Sequence, residues 1–134
     1  MRVGRIHVRF LGDDRCGSYE CSLHGVWDTD MILHTGLGRQ EYAQHLEDLI
    51  QNQKLASADS GTPEQWANES VGLAGAAWVS DGTNLDEQYY RREITVVDRQ
   101  MALAGLRLGG AGDVEPNVEG APEVVGRAAG WADP

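Results

Sequence analysis

The chain has 134 residues, 41% hydrophobic and 24% charged, with 21 acidic against 11 basic side chains and a formal net charge of −10. That length fits one domain with a modest core and leaves no room for a second. No apolar run approaches the roughly 20 residues of a membrane span, and so acidic a chain cannot hold nucleic acid through a broad face of Lys and Arg displacing counterions. Phosphate chemistry here would need metal ions to supply positive charge.

The first ten residues, MRVGRIHVRF, carry neither the apolar core nor the small-residue cleavage site of a secretory signal. From Arg5 to Phe10 the residues alternate, with Ile6, Val8 and Phe10 on one side and Arg5, His7 and Arg9 on the other, which predicts one half-buried strand. A strand needs a partner, and no later run alternates as well. GDDRCGSYEC follows, dense in Gly, Asp and Ser, and reads as loop. Its Cys16 and Cys21 suit a short-loop disulfide in an oxidising compartment or two free thiols, and suit a zinc pair less well.

At Ser22 the pattern becomes helical. Ser22 is the N-cap, Leu23, Val26, Trp27 and Met31 recur at helical spacing, and Gly36 is the stop. A second helix is predicted from about Gln40 to Ile50, with Tyr42, Leu46, Leu49 and Ile50 inward and Glu41, Glu47 and Asp48 towards water. Thr62-Pro63-Glu64-Gln65 is a capping box that starts a third helix, whose apolar side is Trp66, Leu73, Ala74 and Ala77 and which ends before Asp81-Gly82. Leu85 to Leu108 gives the longest pattern, with Ile94, Val97, Met101, Ala104 and Leu108 forming a buried stripe. Residues 109–134, rich in Gly, Ala, Pro and acids and without period, are expected to form a disordered tail.

Within the first helix, LHGVWD sets His24 and Asp28 one turn apart on one face, so an imidazole nitrogen and a carboxylate oxygen converge on one point outside the helix. That donor pair suits zinc. A catalytic zinc takes about three protein ligands, so two would be half a site. The plainer alternative is a surface pair contributing about 0.3–0.5 kcal/mol. Trp27 is read as core rather than substrate platform, His7 and His45 as solvated, and His34 as too far along the axis to share an ion with His24.

The order RFLG, LHGVWD, TPEQWANES and RQMALAGLRL resembles the C-terminal half of the zinc-dependent single-strand-specific nucleases, the S-one/P-one family, over about Arg5 to Leu108. Those enzymes share a mostly helical fold with zinc phospholipase C. The resemblance therefore implies a mainly α chain, the C-terminal portion of that fold, with one short N-terminal β-strand. Residues 1–108 would be the nuclease part and residues 109–134 the tail.

It further implies hydrolysis of phosphodiester bonds in single-stranded DNA and RNA, and of 3′-phosphomonoesters, by a cluster of three zinc ions. A zinc pair activates water and the remaining zinc takes up charge on the phosphate. His24 and Asp28 match the positions that ligate that remaining zinc. The family's other ligands belong to upstream motifs, including a GDxHQPLH-like segment, that this sequence does not contain, so a truncated product is expected, possessing ligands for one ion. Asn68 and Glu69 are read as structural. Two alternatives stand beside the nuclease: a non-catalytic helical metal-binding or interaction module, and a fragment that exposes faces evolved for burial. Family members are typically secreted or periplasmic.

Overall fold

A computed structural model of the chain describes residues 5–57 and 60–112. Its organising segment is the run from Ile6 to Leu11, which is hydrogen-bonded along both edges. On one edge Gly82 N donates to His7 O (2.7 Å), Arg9 N to Thr83 O (2.9 Å) and Leu11 N to Leu85 O (2.9 Å). On the other, Val8 N donates to Cys21 O (3.1 Å) and Leu23 N to Ile6 O (3.0 Å). Strand β1 (Arg9–Phe10) is thus parallel to a strand just before the last helix, Asn84–Leu85. The predicted strand is real but shorter than Arg5 to Phe10, and its partner is two residues long. No alternation can show in two residues, which is why the sequence hid it.

The segment expected as loop holds a small hairpin, β2 (Arg15–Cys16) antiparallel to β3 (Tyr19–Glu20). Gly17 turns it at φ +67°, a backbone angle that L side chains rarely adopt. The Cys16–Cys21 disulfide, with Cα atoms 4.9 Å apart, staples the hairpin and settles the choice between bridge and free thiols.

Ser22 caps α1 (Leu23–Gly25), its hydroxyl accepting from Gly25 N at 3.1 Å. Glycine fits here because a Cβ at residue 25 would sit 3.1 Å from that same Oγ. A π-turn, Val26–Asp30, follows, with Met31 N–H bonded to Val26 O, and α2 (Met31–His34) completes the helix. Helix α3 (Arg39–Asn52) and a 3₁₀ turn (Leu55–Ser57) come next. Helix α4 (Pro63–Ala77) has both bonds of the expected capping box, Gln65 N to Thr62 Oγ1 (3.3 Å) and Thr62 N to Gln65 Oε1 (2.9 Å). Asn84–Leu85 is β4, and α5 runs Glu87–Gly112. The tail expected from Gly109 therefore begins inside a helix, and residues 113–134 lie outside the described residues.

The core gathers Val8, Cys21, Leu23, Val26, Met31, Leu85, Tyr89 and Val97. Met31 and Leu85 are fully buried, each worth about 1.5–3 kcal/mol. The stripe expected along α5 behaves differently. Val97 is buried, but Met101 and Leu108 are 41% and 77% exposed, and Ala104 faces solvent. The chain instead buries Asp98, Ala102 and Leu103, and α5 packs against α3. On α4, Ala77 is buried, Leu73 half-buried and Ala74 exposed. Among the described residues, two apolar stripes thus remain uncovered.

What anchors α4 is a clasp. Arg107 of α5 lays its guanidinium 5.1 Å from the Trp66 ring centre and bonds Glu69 Oε2 at 2.8 Å. Glu69 thus ties α4 to α5, and Asn68 beside it is exposed. The Arg107 bond holds the Glu69 carboxyl below its ordinary value of 4.5. A depressed carboxylate adds stability above that value and loses it as pH falls through the folded-state pKa. Glu69→Gln is expected to lower the unfolding free energy at pH 7, read from urea denaturation, by less than about 1 kcal/mol because the pair is partly solvated. The difference from the parent should shrink as pH falls below the ordinary carboxyl value and vanish once pH lies below the depressed folded-state one, and a gap independent of pH would show that the charge is not the cause.

Candidate metal centre

The helix bearing LHGVWD is fixed from beneath by a three-member relay. Trp27 Nε1 donates to the Tyr89 hydroxyl at 2.9 Å, and that hydroxyl donates to Ala77 O at 2.9 Å, joining the π-turn, α5 and the end of α4. Burial pushes the Tyr89 phenol up, so it remains the protonated donor the relay needs. Trp27 is a half-buried structural residue, in keeping with its core assignment. Nothing in the spacing of Trp27 and Tyr89 announces this bond.

Above the relay, His24 Nε2 lies 2.7 Å from Asp28 Oδ2, with the side chains 86% and 62% exposed. Asp28 sits on the π-turn, a distortion frequent at functional sites. A tetrahedral ion with bonds of about 2.0–2.1 Å holds its ligands roughly 3.3 Å apart. Two exposed side chains need to part by only about half an ångström to take it, so the donor set fits a zinc ion as two of its ligands. Among the described residues no group of three or more His, Cys, Asp or Glu is assembled.

The remaining histidines go elsewhere. His7 pairs with Glu20 at 3.3 Å on an open surface, as its solvated reading implied. His34, at the far end of α2, stacks edge-on against Tyr90 and Phe10, 4.5 and 5.7 Å between ring centres, and lies 3.8 Å from Glu87. His45 does more than its solvated reading implied. It is exposed, yet its Nε2 lies 2.8 Å from Asp98, a buried carboxylate that also accepts from the Tyr42 hydroxyl. Burial first, and then the Asp98 bond, push the Tyr42 phenol far up. This cluster locks α3 to α5. Sequence reading missed it because Asp98 sits on the polar side of a pattern scored only for apolar spacing.

Beside His24 and Asp28 opens a groove of about 820 Å³. Its walls include Trp27, Leu73, Ala77, Trp78 and Met101, so it is the space between the two uncovered stripes of α4 and α5. The exposed pair stands at its rim. No helix among the described residues is long and apolar enough to cross a membrane.

A family model described as S1/P1 Nuclease, the S-one/P-one family that the motifs resemble, matches residues 5–111. Among curated proteins the chain is similar to Endonuclease 1 of Arabidopsis thaliana, 28% identical over 130 residues, covering 77% of this chain and 42% of that protein. The chain thus spans less than half the length of this relative. No solved structure matches.

The relay makes a prediction. Tyr89→Phe leaves the Trp27 N–H without its acceptor and Ala77 O without its donor, an expected cost of about 1–3 kcal/mol. The check is the urea midpoint at unchanged denaturant slope, with Tyr19→Phe, at a 78% exposed site, as a neutral control. Equal stability of both variants would show that the relay contributes nothing.

Proposed function

Because the chain belongs to the S1/P1 nuclease family, we propose that it is part of a zinc-dependent nuclease acting on single-stranded DNA and RNA and on 3′-phosphomonoesters. The observation that carries the reading is the His24–Asp28 pair, two convergent zinc-type donors exposed at the rim of an uncovered apolar groove. Zinc, when bound, supplies the positive charge that phosphate chemistry needs and that this acidic chain lacks.

The chain's own contribution is placement. His24 and Asp28 would hold the ion, and the Trp27–Tyr89–Ala77 relay fixes the helix that carries them. The rest of the ligands come, in this reading, from polypeptide that also covers the groove. The Cys16–Cys21 bridge supports an oxidising compartment, hence export.

The presence of only a pair of donors, with no larger metal-binding group among the described residues, favours as second reading a non-catalytic metal-binding or interaction module. One experiment separates the two. Zinc titration is expected to shift the His24 ring resonances, and His24→Ala to remove most of the affinity. A fusion carrying the N-terminal part of an Endonuclease 1-type relative should then cleave single-stranded DNA and a 3′-nucleotide with zinc, and Asp28→Ala should abolish this. A folded fusion that binds zinc but cleaves neither substrate would favour the module. Unchanged affinity in His24→Ala would remove the site altogether.

A further inference from the structure

The polar side of the strand that organises the fold carries two arginines with no structural task. We infer that Arg5 and Arg9 form a short track for the phosphodiester backbone of a single-stranded substrate, with Arg5 beside the His24–Asp28 pair and Arg9 further out. This rests on the nuclease reading and adds to it what tells a polynucleotide from a single nucleotide.

Placement comes from the backbone. His7 and Ser22 form an antiparallel bridge, flanked by the bonds from Val8 N to Cys21 O and from Leu23 N to Ile6 O. Moving along the strand from Arg9 to Arg5 is therefore moving along its neighbour from Cys21 towards His24. The inner end of the track lies at the metal pair. Arg5 lines the same groove as His24 and Asp28, and among the described residues lining that groove it is the one arginine or lysine.

Direction and spacing follow from the pleat. Arg5, His7 and Arg9 are exposed, whereas Ile6 and Phe10 are half-buried and Val8 is buried, so the two guanidiniums leave one side of an extended backbone. Four residues at ~3.3 Å set them about 13 Å apart, which is two steps of a phosphodiester backbone in its extended form.

The two charges are also free to act. Arg91, Arg92 and Arg107 are each held by a carboxylate. Arg5 and Arg9 enter no ion pair among the described residues. Carboxylates bordering the strand are engaged elsewhere: Glu20 lies 3.3 Å from His7 Nδ1, Asp81 accepts from His7 N at 2.8 Å, and Asp28 meets His24. A guanidinium presents a fork of donors that matches phosphate oxygens. Two of them fall short of a broad basic face. They add two contacts to the charge that an ion supplies, while a formal charge of −10 over the rest of the chain repels a strand lying anywhere else.

Anisotropy of a fluorescent oligothymidylate with the full chain and saturating zinc, followed against salt, tests the track. For a single strand each phosphate contact contributes about 0.7 to the slope of log affinity on log salt, so the Arg5→Ala/Arg9→Ala double variant is expected to lower that slope by about 1.4. Arg9→Lys, which keeps a point charge, should keep the parent slope. So should Arg39→Ala, the same change of charge at an exposed position on α3. All these positions being exposed, equal urea midpoints are expected and verify the fold. In the fusion described above, Arg9→Ala should raise KM for single-stranded DNA about threefold or more relative to KM for the 3′-nucleotide, since a single nucleotide at the metal pair does not span the track.

A double variant with the slope of Arg39→Ala, or a parent chain that does not bind the oligonucleotide at all, would overturn the track, and cleavage by the fusion would then leave the nuclease reading standing. A fusion that cleaves neither substrate would take down that reading instead. Arginine-dependent binding in that case would keep the track as the nucleic-acid contact of a non-catalytic module.

Discussion

The structure depends on one constraint: the backbone from Ile6 to Leu11 must find partners on both edges. On one side it holds Cys21 and Leu23, which fixes where the helix carrying His24 begins. On the other it holds Gly82 to Leu85, which fixes the entry to α5. Two segments some sixty residues apart are thus set side by side, and Tyr89 comes within reach of Trp27. An extended segment bonded on both edges buries its main chain without orphaned polar groups, so Val8 and Leu85 can sit in the core together with the helix start at Leu23.

From that frame the polar interior follows. Three helical elements are tied to α5 by directional bonds: α3 through Tyr42 and His45 on Asp98, the π-turn through Trp27 on Tyr89, and α4 through the Arg107 clasp. Such bonds fix register, where apolar contact alone leaves helices free to slide. The exception is the face of α4 and α5 that borders the groove. Among the described residues it has apolar side chains and no protein to meet them, the expected signature of a surface made for a partner.

Much of this was legible in the residues. Helix starts were readable because capping is local chemistry: Ser22 and Thr62 act on backbone three residues away. The pairing of His24 with Asp28 was readable for the same reason, since one helical turn is a short-range geometry. Buried stripes were half readable. Periodicity reports which residues prefer to be covered, not whether anything covers them, and so Met101, Ala104 and Leu108 were assigned to an interior that they do not occupy. Contacts made across the chain, such as β4 with β1 or Asp98 with His45, leave no trace at either end considered alone.

The π-turn at Val26–Asp30 has a consequence for the phase of the helix. A regular α-helix advances about 100° per residue, so positions ten apart are offset by about 280°. A π-turn takes up about one residue without advancing, which withholds about 100° and leaves roughly 180°. His24 and His34 are therefore turned to opposite sides, one to the groove rim and the other to Phe10 and Tyr90. The single wide turn lets one short helix serve two unrelated surfaces, and a one-residue deletion inside it would swing one of them out of alignment.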